Sequence, residues 1–352
     1  MPLTTLCVVA LATLAQPAIQ AKPLVGARSL ALSPDGKRLA FSYQGDVWVA
    51  PSQGGRAVPV TNHVEMDDNP VWSPDGQWIA FNTNRNGNND IYVVPADGGQ
   101  TQRLTWHSGN ETPSDWTADG KSILFNAQRE GIDNGIFVVD TQTLKTRLLF
   151  LDRVALRRPQ AAPDGKTILY QRFDFNPFRP RYTGSAASQI WTFDASSSKR
   201  TLVAKNGMQH LWTRLGPGGK IYTITATEIT PSSRWLNQPM EKYGDNPART
   251  PNVYEIGTDG RAKRLTDFVG GSVRYLTVAK QNGFMAFEYD GVVYTMTPGG
   301  KPTKIDLVAT LDDKTTFEQR EVATSGTNEM ALSPKGDTIV FALANDLWSV
   351  PV

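Results

Sequence analysis

The sequence predicts an all-β chain built as a β-propeller of four-stranded antiparallel blades. A short motif recurs through nearly the whole chain. The runs around it are strand-like and show no helix-period stripe. The repeat length is that of a blade. The tetrapeptide SPDG stands at 33–36 and 73–76. Degenerate copies are TADG at 117–120, APDG at 162–165 and SPKG at 333–336, with weaker ones in GPGG at 216–219 and KQNG at 280–283. A period of roughly 40–45 residues carrying four strands marks a propeller blade.

Each element of the unit has its own warrant. The segment before the motif is one strand, and the Pro-Asp-Gly residues reverse the chain tightly. A second run follows: RLAFSY from Arg38, WIAFNT from Trp78, SILFNA from Ser122, TILYQR from Thr167, KIYTIT from Lys220, FMAFEY from Phe284 and TIVFAL from Thr338. The third run carries an aromatic, in turn Trp48, Tyr92, Phe137, Trp191, Tyr254, Tyr294 and Trp348. A Gly-containing turn and a fourth run usually close the unit, as in TQRLT from Thr101 and AKRLT from Ala262. Runs of β-branched and aromatic residues between Gly, Asn and Asp turns make antiparallel sheets. One such sheet cannot bury both faces alone, but radial stacking on its neighbours does so.

Six repeats have all four runs, and a seventh reaches its third run near Val352. The expectation is a six-bladed propeller over 28–305, a linker over 306–327 and the first strands of a second propeller over 328–352. A seven-bladed ring with an incomplete last blade is the alternative. KPLVGA at 22–27 is a poor candidate for a strand that completes a ring. Long gaps imply insertions at 173–188, 226–250 and 304–327.

Composition narrows the function. The 352 residues are 39% hydrophobic and 20% charged, which is ordinary globular composition. A net charge of +2 gives no electrostatic case for nucleic acid or an anionic membrane. The single cysteine, Cys7, excludes a disulfide framework within the chain and a cysteine-built zinc site. Residues 1–21 lack any charged side chain, and their apolar core, Leu6 to Leu14, is shorter than the roughly 20 residues of a membrane span. This reads as a secretory signal peptide cut after Ala21, which places the protein in the periplasm or outside the cell. No later stretch is apolar enough to span a membrane.

Catalytic signals are weak. No GxSxG elbow is present, and the loop histidines His63, His107 and His210 have no partner motif. NTNRNG at 82–87 opens like a calcium loop, but Val93 stands where the twelfth-position Glu is required, so a hairpin turn is the plainer reading. Glu65, Asp67 and Asp68, and Asp312 and Asp313, are acids of the kind a glycosidase pairs, with solvated loop positions as the simpler account. No catalytic, metal or cofactor residue is assigned. The richest segment is the first insertion, where Arg172, Phe173, Phe175, Phe178, Arg179, Arg181 and Tyr182 crowd together, with Arg157 and Arg158 just ahead of the same blade. Guanidinium groups bind carboxylates bidentately. Arg157, Arg158, Arg179 and Arg181 are therefore candidates for holding a peptide carboxylate, against the alternative of a loop packing its aromatics on the blade. The second insertion, with Trp235, Met240 and Tyr243, is a candidate cap or partner interface.

The SPDG turn, the IAF-like and DIYVVP-like strands and the GGxxxRLT ending resemble the TolB-type propeller repeat. The segments at 96–125, 179–194 and 318–351 resemble the N-terminal region of bacterial tricorn-like peptidases. That resemblance implies a six-bladed propeller ahead of a second propeller, a PDZ-like domain and a serine peptidase core, with basic propeller residues anchoring substrate ends. The peptidase core is not in these 352 residues. The expected role is a non-catalytic module of an exported peptidase that gates or binds peptides or unfolded segments, without a cofactor. A TolB-type periplasmic protein-binding scaffold, with protein partners or as a homo-oligomer, is the second expectation, and a propeller hydrolase using its own acids the third.

Overall fold

The structure is a computed structural model that describes residues 21–131, 133–182, 184–204, 209–226, 246, 248–257, 262–310, 327–343 and 346–352. The expected signal peptide apart from Ala21, with Cys7, lies outside the described residues, as do Trp235, Met240, Tyr243, Asp312 and Asp313. Chain contacts separate two units, 1–310 and 311–352.

The first unit consists of sheets whose strands follow chain order from the inside outward. After the short β1 (Lys22–Pro23), the first blade is β2 (Arg28–Leu32), β3 (Arg38–Tyr43), β4 (Asp46–Pro51) and β5 (Gly55–Pro59). The second is β6 (Asp67–Trp72), β7 (Trp78–Thr83), β8 (Asp90–Pro95) and β9 (Gln102–Arg103). The third is β10 (Glu111–Trp116), β11 (Ser122–Glu130), β12 (Asp133–Asp140) and β13 (Thr146–Asp152). The fourth is β14 (Leu156–Ala161), β15 (Thr167–Arg172), β16 (Gln189–Asp194) and β17 (Arg200–Ala204). The fifth is β18 (Leu211–Leu215), β19 (Ile221–Thr225), β20 (Asn252–Ile256) and β21 (Ala262–Arg264). The sixth is β22 (Val273–Val278), β23 (Met285–Tyr289), β24 (Val292–Met296) and β25 (Thr303–Lys304). The inner strands touch in succession, β2 to β6, β10, β14, β18 and β22, and β22 returns to β2.

The recurring motifs have local causes. In the first blade Ser33 Oγ donates to Asp35 Oδ1 at 2.7 Å and accepts the Arg38 N–H at 2.9 Å. Gly36, at φ +73°, takes the left-handed conformation that closes the turn, and its Cα faces Phe284 and Ala279 of the sixth blade, which a Cβ would meet at 3.1 and 3.2 Å. Ser73 and Asp75 repeat the arrangement, and so do Thr117 and Asp119. The threonine of the RLT ending docks the fourth run on the third: Thr61, Thr105 and Thr266 accept the N–H of Val47, Ile91 and Val253, each at 2.9 Å. The third-strand aromatic lies opposite a second-strand aromatic, as in Phe41–Trp48, Phe81–Tyr92, Phe125–Phe137, Tyr170–Trp191 and Phe287–Tyr294. In the fifth blade Thr223 faces Tyr254 instead. Such cross-strand pairs stabilise a sheet by roughly 0.2–1 kcal/mol each.

The core lies between blades. Phe41, Phe81, Phe125 and Phe287 are fully buried, the last three in clusters shared by blades one and two, two and three, and five and six, each contributing roughly 1.5–3 kcal/mol by leaving water. Trp72 Nε1 donates to Ala31 O at 2.9 Å and Trp116 Nε1 to Val71 O at 3.1 Å, stitching blades one to two and two to three.

Closure uses a part of the chain read above as linker. Residues Leu307–Ala309 form β26, which pairs in parallel with β5 at the outer edge of the first blade and antiparallel with β1. Lys22–Pro23 is thus a strand after all, though only two residues long, and the first sheet has six strands. On the inner side the Leu32 N–H donates to Thr277 Oγ1 at 3.0 Å, joining the first blade to the sixth.

The second unit holds β27 (Thr327–Leu332), β28 (Thr338–Leu343) and β29 (Asp346–Pro351) in one three-stranded antiparallel sheet with the same SPKG turn and a Phe341–Trp348 pair.

Candidate binding channel

All six inner strands line one cavity of about 460 Å³, which makes it the bore of the ring. Its residues follow a rule. Four positions before the first residue of the turn motif stand Ser29, Asn69, Pro113, Arg158 and Trp212, and in the sixth blade Tyr275 stands five before KQNG. At that point each inner strand carries a bulge, with one extra residue opposite its neighbour. Five of the six take left-handed backbone: Ser29 at φ 49°, Asn69 at 54°, Arg158 at 51°, Trp212 at 42° and Tyr275 at 53°. Pro113 does not, because its ring holds φ negative. In the second unit Glu329 occupies the same position at φ 53°. Non-glycine residues rarely adopt this conformation, and a bulge re-aims the side chain it carries. Two residues further on, Ala31, Val71, Asp115, Gln160, Arg214 and Thr277 line the same cavity.

The bore is chemically lopsided. The first three blades offer Ser29, Asn69 and Pro113, and the other three offer Arg158, Trp212 and Tyr275. Phe175, from the first insertion, also enters it. The Arg158 guanidinium sits 4.2 Å from the Phe175 ring centre, Phe175 packs on Trp212 at 4.6 Å, and Trp212 on Tyr275 at 5.1 Å. The chain of contacts is therefore one cation and three aromatics long.

Charge is similarly concentrated. Arg157 Nε donates to Asp174 Oδ2 at 2.9 Å. Arg158 Nη1 lies 3.7 Å from Asp174 Oδ1, and this buried nitrogen has no hydrogen-bond partner among the described residues. Arg214 donates to the Thr213 carbonyl at 3.2 Å and has no carboxylate within salt-bridge distance among the described residues. Burial pulls Arg158 down to about 10, with Asp174 opposing and Arg157 adding to the shift. Burial, then the Arg158 charge, pulls Arg214 down to about 10. Both stay cationic at neutral pH, and both are short of counter-charge. Lys280 Nζ reaches Asp115 Oδ1 at 2.7 Å, and Asp115 Oδ2 accepts the Ala161 N–H at 2.9 Å. Asp115 belongs to the third blade and Lys280 to the turn of the sixth, which are opposite in this ring, so the pair bars the bore. Four cations thus face two carboxylates.

The sequence-derived candidates divide. Arg157 and Arg158 line the bore. Arg179 and Arg181 do not. Arg179 is exposed and packs over Tyr182 at 5.3 Å, and Arg181 donates to the Arg249 carbonyl at 2.9 Å. Arg214, Trp212, Tyr275 and Lys280 were missed, although a fixed offset from the turn motif carries the signal for the first two and the aromatic one residue off that offset for Tyr275. His63 and His107 hold turns, their Nδ1 atoms accepting the N–H of Glu65 and Gly109 at 3.0 and 2.9 Å. His210 is instead fully buried, with neither ring nitrogen partnered among the described residues. The 82–87 segment makes a hairpin turn closed by the Gly87 N–H on Asn84 O at 2.9 Å. Asp67, expected as a solvated acid, is fully buried and paired with Arg85 at 2.7 Å, while Asp68 accepts the Ser42 hydroxyl at 2.6 Å.

These features define a β-propeller with a cationic, partly aromatic bore. The chain belongs to the family of the tricorn protease N-terminal beta propeller domain, whose model matches residues 30–301. The crystal structure of the tricorn protease is similar in fold, with a TM-score of 0.64 and 17% identity, over 91% of this chain and 30% of that one. TolB from Acinetobacter baumannii gives 0.52 and 19%, over 72% of this chain and 57% of that one. A chain provisionally assigned as TolB from Agrobacterium tumefaciens gives 0.57 and 20%, over 76% and 90%. The uncharacterized peptidase YuxL of Bacillus subtilis is 34% identical over 65 residues, 16% of this chain and 10% of that protein. The chain thus spans a tenth of YuxL and under a third of the tricorn protease chain.

Proposed function

We propose that residues 28–305 are a non-catalytic propeller module of an exported tricorn-like peptidase, and that the bore takes the carboxylate end of a peptide or unfolded segment. The observation that carries this reading is the buried, unpartnered Nη1 of Arg158 beside Arg214, in a cavity with more cations than carboxylates. A carboxylate placed there supplies the missing hydrogen-bond acceptor and counter-charge. The Lys280–Asp115 bar suits a pocket that receives an end better than a tunnel that passes a chain through. The cavity volume of about 460 Å³ is on the scale of ordinary ligand sites. Export by residues 1–21, and an opening of a second propeller at 328–352, belong to the same reading.

The test is fluorescence anisotropy of a labelled pentapeptide with a free C-terminal carboxylate against its amide. The acid is expected to bind at least about tenfold tighter, and Arg158→Gln to remove most of that difference. Equal affinity for acid and amide overturns end-anchoring and favours a TolB-type scaffold that binds partners on its outer surface.

A further inference from the structure

Resting on that end-anchoring reading, we infer that the bore also selects the last side chain of the peptide, preferring an aromatic or large aliphatic residue laid against Trp212 and Tyr275. The argument begins with adjacency. Arg158, Trp212 and Tyr275 occupy the same bulge position in three consecutive blades, and Arg214 sits two residues beyond Trp212. A carboxylate held by Arg158 and Arg214 therefore brings the α-carbon of its residue beside the aromatic arc. That arc is continuous, because Phe175, Trp212 and Tyr275 stack edge to neighbour at 4.6 and 5.1 Å.

The packing also fixes where the arc is open. Trp212 is only 7% exposed and Phe175 8%, so both are held rigidly by the fifth and sixth blades and the first insertion. Tyr275 is half-buried, and its hydroxyl has no hydrogen-bond partner among the described residues. The surface presented to the bore is thus a preorganised apolar shelf with one donor at its rim, which costs little ordering on binding. Apolar surface of the ligand gains by leaving water on this shelf. Asp174 and Asp115 are already paired with Arg157 and Lys280, and one terminal carboxylate meets Arg158 and Arg214 together, so a second carboxylate on the last side chain finds no free cation beside the shelf. On the facing side Trp72 also lines the bore, but Arg38 covers its ring at 4.6 Å and its indole N–H is taken by Ala31 O, while the bulge positions there, Ser29, Asn69 and Pro113, carry no aromatic.

The test uses one labelled pentapeptide ending in Phe, Leu or Asp, each as free acid and as amide, titrated onto the full chain. The acids ending in Phe and Leu are expected to bind at least tenfold tighter than the acid ending in Asp. Tyr275→Ser is expected to cut that preference below threefold while leaving the acid-to-amide ratio in place, with a melting curve confirming the fold; Trp212→Leu is the second variant. Acid-to-amide discrimination that persists with no preference among Phe, Leu and Asp overturns the shelf and leaves the anchor standing. Loss of acid-to-amide discrimination, or no binding by any acid, overturns the anchor itself.

Discussion

His210 is the residue whose chemistry the sequence concealed. A loop histidine is ordinarily a solvated turn residue, yet here the ring is fully buried and burial alone pulls it down to about 3. Its folded value therefore lies below the ordinary one near 6.5. Between those two values the unfolded chain binds the proton and the folded chain does not, so stability falls as pH drops through this window. At pH 5 the loss attributable to His210 is about 2 kcal/mol. Denaturant unfolding at pH 7 and pH 5 is expected to show a difference smaller by about that amount in His210→Leu than in the natural chain; an unchanged difference would mean that the ring is hydrated. Arg214 and Tyr275 are the reverse case. Both sit just ahead of the weaker turn motifs, GPGG and KQNG, and their meaning depends on a bulge, which is set by pairing between strands. Arg157 and Arg158 were legible because adjacent arginines stand out in a strand otherwise built for burial. Arg179 and Arg181 look alike in sequence, and only the path of the insertion separates them from the bore.

At the scale of elements, the turns, strand runs and aromatic pairs were all readable, because each is a contact between residues close in the chain. The latch at the outer edge of the first blade was not. It joins Leu307–Ala309 to Gly55–Ala57, two short stretches of no marked pattern some 250 residues apart. Gly54 shows what the latch demands. It has φ +97°, and a Cβ there would stand 2.9 Å from the Asp306 carbonyl oxygen. Gly45 has a similar φ of +88° with nothing within 4 Å. Gly45→Ala is expected to cost about 1 kcal/mol from backbone strain alone. Gly54→Ala is expected to cost about 2–3 kcal/mol, because the latch must also shift. Equal costs in thermal or denaturant unfolding would show that the contact with Asp306 contributes nothing. The first insertion, by contrast, was readable as aromatic and basic, but nothing in it said that Phe175 turns inward while Phe178 is left 86% exposed.

For the ring as a whole, the Lys280–Asp115 pair joins the sixth blade to the third across the bore. Asp115 also accepts the Ala161 N–H, so it braces the third blade against the fourth as well as reaching the sixth. The Asp115 side chain is 6% exposed and Lys280 41%, which places the pair between a buried and a surface ion pair. Lys280→Met is expected to cost about 1–2 kcal/mol. Asp115→Asn is expected to cost more, since it weakens both contacts. A double-mutant cycle is expected to give a coupling of about 1 kcal/mol; additive effects would mean that the two side chains do not meet across the bore.

The left-handed kink before each turn has a last consequence. The main chain sets the direction of that side chain, and at Ser29 and Asn69 the core lies behind it, whereas Trp212 and Tyr275 also pack into the core of the fifth and sixth blades. What hangs there ranges from a hydroxymethyl group at Ser29 to an indole at Trp212. The lumen is thus wired like a row of sockets, in which the fitting at Ser29 or Asn69 can be exchanged while the wall stays intact. Descendants of this scaffold are free to acquire new tastes one spoke at a time.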